Sequence, residues 1–426
     1  MNPILSLYVR HLVREGTLLV TDSAGRQSRW GDGSGKPVHV RLKTRAAERA
    51  VALNPGLAFP ERYMDGEIDM VEGTIHDLLA LVFRNAGTHA TDEPWMRAAE
   101  TLGALLKPLR LRNTPGRSRR NVEHHYDLSG ALYDLFLDAD RQYSCAYFES
   151  PADDLETAQL AKKRHIAAKL HIDRPDLSVL DIGCGWGGLG LYLARHCASE
   201  VTGITLSTEQ EGVANRRAED QGLAARARFR IEDYRHTAGR FDRIVSVGMF
   251  EHVGPRFYAD YFGAARRLLA DDGVMLLHTI GRLEGPAETN AFIAKHIFPG
   301  GTLPALSEIL PATERAGLVV TDVEVLRLHY AETLKAWRLR FAARREEAKA
   351  LYDERFCRMW EFYLSAAECG FRWQNLVVFQ IQLARRIDAL PVTRDYIAQA
   401  ESRLRLLDGG AARPPVAAVP DARLAG

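Results

Sequence analysis

The run VLDIGCGWGGLGLYLA, residues 179–194, holds the densest set of residues able to do chemistry. An apolar strand ends at Asp181 to Gly183, the glycines Gly183, Gly185, Gly187 and Gly188 follow, and a helix begins near Leu189. A backbone without Cβ atoms can turn sharply and lie close against a ligand. The pattern GxGxxG, at Gly183, Gly185 and Gly188, would suit NAD as well as other nucleotides. Two details argue against NAD. Asp181 sits two residues before the first glycine, where a carboxylate can meet the ammonium of an amino-acid cofactor but would repel a pyrophosphate. A dinucleotide site also wants an acid at the end of the next strand for the ribose. Here that place reads GITLSTEQ (203–210), with no acid before Glu209. The loop, with Cys184 and Trp186 between its glycines, is therefore expected to bind S-adenosylmethionine (SAM). Thr205, Leu206 and Gln210 stand where an acid would hold the ribose. An amide can bond both hydroxyls, and a glutamine opening a helix is equally an ordinary surface residue. Asp233 and Tyr234, ending the third strand in IEDY (231–234), could face the adenine amino group and ring, or be solvated loop.

Reactive side chains recur in HHYDLSGALYDLFLD (124–138), YSCAYF (143–148), SVGMFEHVG (246–254), LLHTIG (276–281) and HYAETLKAW (329–337). Each has a plain reading. A lone Cys145 is most often a small buried hydrophobe. Glu251 and His252 close a strand, where polar residues are common, and a single histidine such as His278 in an apolar strand is usually a satisfied core residue. In this order, and with the Gly-rich loop, the strings resemble the cyclopropane-fatty-acyl-phospholipid synthases and, more distantly, the mycolic acid cyclopropane synthases, from about residue 120 to 395.

The resemblance implies a Rossmann-like class I SAM-dependent methyltransferase of α/β class, behind a smaller N-terminal domain. It implies that Tyr143 and Ser144 contact the cofactor together with Gly183 to Gly187, Thr205, Leu206 and Gln210. It also implies a bicarbonate ion beside the SAM methyl, held by Cys145, Glu251, His278, the backbone of Ile280, and Tyr330. The segment around Tyr126 and Tyr133 would cover the site. The acceptor would be the double bond of an unsaturated acyl chain on a phospholipid, and a homodimer is expected on the same ground.

That chemistry makes demands. An alkene is a weak nucleophile and must be placed in line with the sulfonium methyl. The resulting carbocation must be kept from water. Aromatic faces stabilise cations by about 0.5–2 kcal/mol each, and Tyr147, Phe148, Phe250, Tyr258, Tyr330 and Trp337 are available, though most would serve equally as core. A base must then remove a proton so that the ring closes. Rival outcomes are a methylene- or methyl-branched chain from the same cation, a small-molecule amine N-methyltransferase, and a non-catalytic binding protein.

The elements that must position these residues alternate. Strands are expected at 178–183, 199–206, 227–233, 241–248 and 273–280, with helices between, which argues a parallel, doubly wound sheet. The first, fourth and fifth are mostly apolar, as strands covered on both faces must be. Residues 335–390 read as helices packed on that sheet. Residues 1–115 read as a small separate domain, possibly lipid-binding, with a helix near Ile4–Leu12, a strand at 38–42 and a helix at 74–84. Residues 116–395 form the catalytic domain, and 396–426 an extension whose Gly/Pro/Ala-rich tail is expected to be disordered. The chain has 426 residues, 46% hydrophobic and 26% charged, an ordinary globular balance. With 56 basic and 55 acidic residues it carries no nucleic-acid footprint. Residues 1–120 hold 18 basic and 13 acidic residues, and Arg110, Arg112, Arg117, Arg119 and Arg120 cluster in a linker. They are either solvated or turned toward anionic lipid, as could be the arginines near 338–345 and 385–386. Five cysteines without paired spacing fit a reducing cytoplasm. No apolar run approaches the length of a bilayer span; the phospholipid acceptor that the resemblance implies would bring the chain into peripheral contact with the inner face of the membrane.

Overall fold

The computed structural model describes residues 1–87 and 130–409. The basic linker, Tyr126 and nearly all of the C-terminal tail lie outside the described residues, as does the expected boundary at 115/116.

Residues 1–87 build a four-stranded sheet and four helices. The strands are β1 (Thr17–Thr21), β2 (Gln27–Trp30), β3 (Pro37–Leu42) and β4 (Ile68–Glu72), in the order β2-β1-β3-β4. Alternation in β3 sends Val38, Val40 and Leu42 inward. Local chemistry sets the helix ends. Asn2 accepts from the amides of Ile4 and Leu5 at the start of helix Pro3–Leu12, and Thr74 and Asp77 form a reciprocal cap on helix Ile75–Ala86.

The larger unit is a seven-stranded sheet, with β5 (Ser178–Ile182), β6 (Glu200–Thr205), β7 (Ala227–Ile231), β8 (Phe241–Val247), β9 (Leu269–Arg282), β10 (Val319–Leu326) and β11 (Leu376–Ala384) in the order β10-β11-β9-β8-β5-β6-β7. The five expected strands are present and mutually parallel. The other two correct the reading of the C-terminal region. LVVFQIQLA, inside the stretch read as all helix, is β11, antiparallel to both β9 and β10. Its residues are buried nearly throughout, so it carries no alternation, and its surroundings rich in Arg, Glu and Ala hid a short apolar run. Helices His329–Ala343 and Glu354–Trp373 do form as read. Beyond them, Asp395–Leu407 is a helix packed on helix Leu155–Lys169.

The two units share one hydrophobic cluster, in which Leu18, Val40 and Leu79 belong to the same core as Trp337, Trp360 and Tyr363. Phe59 meets Phe362 at 6.3 Å between ring centroids. Around it run ion pairs: Arg358 with Asp69 at 3.2 Å, Arg355 with Asp65 at 2.9 Å, and Lys295 with Glu61 at 2.6 Å. Of the arginines considered for lipid contact, those near 338–345 and 385–386 are engaged within the chain. Arg338 pairs with Glu368, Arg340 with Glu156, Arg345 with Glu354 and Glu361, and Arg386 with Asp388.

Candidate active site

The carboxyl ends of β5, β6 and β8 open onto a cleft of about 150 Å³. Gly183 turns with φ +83°, and a Cβ there would lie 2.8 Å from the Cβ of Met249. Gly185 has φ +53° and faces open space, with nothing within 4 Å of where a Cβ would stand. Both positions therefore require glycine, the first for packing and the second to leave the cleft clear. Every residue assigned to the cofactor lines this cleft except Gly187, which underlies it against Ala214 and Phe229.

Asp181 is 2% exposed, and its Oδ2 has no hydrogen-bond partner among the described residues. Burial pushes its carboxyl up to about 7. Thr205 Oγ1 donates to Gln210 Oε1 at 2.9 Å, which leaves the amide NH2 of Gln210 as the donor toward the cleft. Glu209, the first acid after the second strand, accepts from Trp186 Nε1 at 3.2 Å instead of facing a ribose. Asp233 is gripped by Arg235 through two hydrogen bonds of 2.8 and 2.6 Å. Burial opposes its ionisation, but the guanidinium holds the carboxyl below its ordinary value. Arg235 also lies over the ring of Tyr234, 5.5 Å from its centroid. Sequence reasoning missed Arg235, and it missed Lys162, a buried lysine in the cleft wall whose Nζ donates to Gln142 Oε1 at 2.7 Å and Ser144 Oγ at 2.8 Å.

Cys145, Glu251, His278, Ile280 and Tyr330 all line a second, larger cavity of about 770 Å³. Glu251 lies in a short 3-10 turn, Phe250–His252, just after β8. Its Oε1 accepts from the Ile280 amide at 2.6 Å, so that N–H is committed to holding the carboxylate. Its Oε2 is buried without a partner among the described residues, and burial pushes the carboxyl up to about 7. His278, on β9, stands opposite Gln380 of β11. Gln380 Nε2 donates to His278 Nδ1 at 3.2 Å. Burial pushes the imidazole down to about 3; with the Gln380 amide so oriented, the neutral ring carries its proton on Nε2. Burial also drives the Cys145 thiol upward, which keeps it protonated. Tyr330 packs its ring against Phe371 at 4.7 Å. The set thus offers an acceptor in Glu251 and a donor in the Nε2–H of His278, while the Cys145 thiol donates to the Ala146 carbonyl at 3.3 Å.

The two spaces meet at Tyr143, Ser144, Gly248 and His252, which line both. Burial pushes His252 down to about 4, so it is neutral here. Tyr143 stacks on Trp337 at 5.2 Å, and its hydroxyl lies 3.1 Å from that of Tyr363. Of the six aromatics considered for cation stabilisation, only Tyr330 reaches the cavity wall. Tyr147 is stacked between His165 and His329, Phe250 and Tyr258 stack on each other, and Trp337 is core. Tyr133 is also buried core, in edge contact with Trp186. Tyr363, Phe298 and Phe371 line the cavity instead. Away from this junction the cavity continues into the N-terminal unit between Leu5, Val9, Val20, Val40, Leu78 and Leu79.

Comparison with known proteins identifies the family. The mycolic acid cyclopropane synthetase family model matches residues 113–381. Residues 13–94 match a family described only as a domain of unknown function, DUF7884. The cyclopropane-fatty-acyl-phospholipid synthase of Escherichia coli is 38% identical over 83% of this chain and 89% of its own length. Tuberculostearic acid methyltransferase UfaA1 of Mycobacterium tuberculosis is 34% identical over 80% of this chain and 81% of its own length. The solved structure of mycolic acid cyclopropane synthase CmaA1 complexed with SAH and CTAB is 35% identical, with a TM-score of 0.59 over 62% of this chain and 97% of that one. Sequence, sheet order and cleft converge: the chain belongs to the mycolic acid cyclopropane synthetase family and is a SAM-dependent methyltransferase.

Proposed function

We propose that the chain transfers a methylene group from SAM to the double bond of an unsaturated phospholipid acyl chain, leaving a cyclopropane ring. The observation that carries this reading is the apolar cavity, which passes the cluster of Cys145, Glu251, His278 and Tyr330 and runs on into the N-terminal unit. A space of that shape suits a long flexible hydrocarbon better than a small amine. The E. coli relative, which is named for action on phospholipid-borne fatty acyl chains, matches 83% of this chain.

SAM bound in the cleft supplies the electrophilic methyl carbon. Gly183 and Gly185 keep the backbone out of its way, Asp181 faces its ammonium, Gln210 donates to the ribose, and Asp233 with Tyr234 borders the adenine. The junction at Tyr143, Ser144 and His252 then sets where an alkene can approach. The largely apolar cavity walls offer little to hold water beside a carbocation, which must be kept dry. The unpartnered Glu251 Oε2 and the Nε2–H of His278 fit a small oxyanion bearing its own O–H, with Cys145 and Tyr330 completing the cage. Bicarbonate held there would supply the base that takes a proton from the new methyl group.

Peripheral contact with a bilayer, on the cytoplasmic side, follows from the substrate. Helix Pro3–Leu12 turns Leu5 and Val9 to the cavity and leaves Ile4 and Leu7 exposed, so it is the natural point of entry for a chain. No helix among the described residues is long and apolar enough to cross a membrane. The likeness to a tuberculostearic acid methyltransferase supports a second outcome, a methyl- or methylene-branched chain from the same cation.

Incubation with SAM and unsaturated phospholipid vesicles, followed by mass analysis, tests the reading. Gain of one CH2 with loss of the alkene is expected. Gain with the alkene retained would favour the branched product, and transfer to an amine with none to lipid would reject both.

A further inference from the structure

Lys162 has no part in the chemistry above, yet it is among the most buried charged groups in the molecule, 1% exposed. It comes from helix Leu155–Lys169, which passes behind the cofactor cleft. One turn earlier on the same face, Gln159 Nε2 donates to the backbone carbonyls of Gln142 and Ser144, at 3.1 and 3.0 Å. That fixes the segment 142–144. Lys162 then reaches the same segment's side chains, donating to Gln142 Oε1 and Ser144 Oγ. Both partners are neutral oxygens. An ammonium has three N–H donors, so one remains. Because Ser144 Oγ accepts from Lys162, its own O–H is left to donate into the cleft.

A buried cation held by neutral groups is incomplete without a counter-ion. No nearby acid hydrogen-bonds to it, although Asp138 and Asp140 lie close enough to favour its charged form. Asp140 is taken by Lys163 at 2.6 Å and by Arg217, and Asp138 accepts from the amides of Asp140 and Gln142. Of the carboxylates that line the cleft, Asp233 is held by Arg235 and Glu232 lies 3.4 Å from Arg230, whereas Asp181 has an unpartnered oxygen. The cofactor's methionyl end carries one charge of each sign.

We propose that Lys162, with the Ser144 hydroxyl it orients, recognises the carboxylate of the cofactor, while Asp181 takes the ammonium, so that the cleft reads both charges of the zwitterion. Burial lowers the lysine to about 8, which leaves it charged at neutral pH and ready to gain from an arriving anion. The inference rests on SAM as cofactor and is independent of the alkene as acceptor.

Calorimetric binding of S-adenosylhomocysteine and of its decarboxylated analogue, which keeps the adenosine, thioether and ammonium, tests it without lipid. Wild type should bind the carboxylated ligand about 30-fold more tightly. Lys162→Met should remove most of that preference by weakening S-adenosylhomocysteine alone, with the analogue changed less than about threefold. Lys162→Arg should retain part of it. Equal loss for both ligands in Lys162→Met would assign the lysine a purely architectural role and overturn the proposal. If the methionine variant does not fold, the wild-type comparison still decides, because near-equal binding of the two ligands overturns the proposal by itself.

Discussion

The cofactor cleft and the acyl cavity adjoin at four residues but are built on different principles. The cleft is small and more polar than the cavity, and it is made at the ends of neighbouring parallel strands, where open α/β sheets place their ligands. Its groups are held by short local bonds, such as Thr205 to Gln210 and Asp233 to Arg235. The cavity is about five times larger and apolar, and both units of the chain contribute to it. Charge recognition needs a few fixed donors and acceptors, whereas a flexible chain needs only a long dry wall. Reagents that must meet at one carbon would thus be received by a small, more polar site and a long apolar one.

The sharpest way to break this division is at Glu251, which belongs to the cavity although it lies only a turn beyond β8. Glu251→Ala should lower turnover about a thousandfold, while the dissociation constant for SAM stays within about threefold. Equal loss of both would place Glu251 in the cleft. The converse is Gly185→Val. A side chain there enters open cleft space at φ +53°, so cofactor affinity should fall about a hundredfold. Vesicle binding should be unchanged. If lipid binding fell in parallel, the two spaces would not be independent.

A third substitution tests the reach of the cavity. Val82 lies on helix Ile75–Ala86 and lines the cavity far from the cage in sequence. Val82→Trp should raise KM about tenfold for long unsaturated chains and leave short ones nearly unaffected. An equal effect on both lengths would mean that the acyl chain does not extend into the N-terminal unit.

The same division decides what could be read from sequence. The cleft was legible because its parts are contiguous. Asp181 to Gly187 form one strand-loop-helix unit, and Thr205 to Gln210 another, each with its own local signature. The cage was legible only through resemblance, because Cys145, Glu251, His278 and Tyr330 come from four separated strings, each with an ordinary alternative reading. The N-terminal half of the cavity was not legible. Val20, Val40 and Leu79 have the pattern of any core residue, and nothing local records that the core they form is hollow. β11 was missed for a related reason: a strand buried on both faces has no period to detect. Lys162 and Arg235 escaped because a lysine or arginine in a polar window reads as surface until tertiary structure buries it or supplies a partner.

The smallest expected effect concerns protons and separates the two buried carboxylates that sit near 7. In the unliganded protein, burial raises Asp181 from 3.8 to about 7. Folding therefore favours its neutral form, a contribution fully present below the ordinary value and lost as pH rises through about 7. The cofactor's ammonium has the opposite preference, because it needs the carboxylate. Affinity for S-adenosylhomocysteine should accordingly fall about fivefold between pH 7 and pH 6, the change expected for one proton coupled to binding. His252 and His278, pushed down to about 4 and 3, stay neutral across this interval. Lys162, at about 8, stays charged. Glu251 titrates in the same window but lines the cavity, not the cleft, so Glu251→Gln should leave the binding profile intact. Asp181→Asn should flatten it. A profile that persisted in Asp181→Asn and vanished in Glu251→Gln would show that the cavity, not the cleft, sets cofactor affinity, and would undo the comparison.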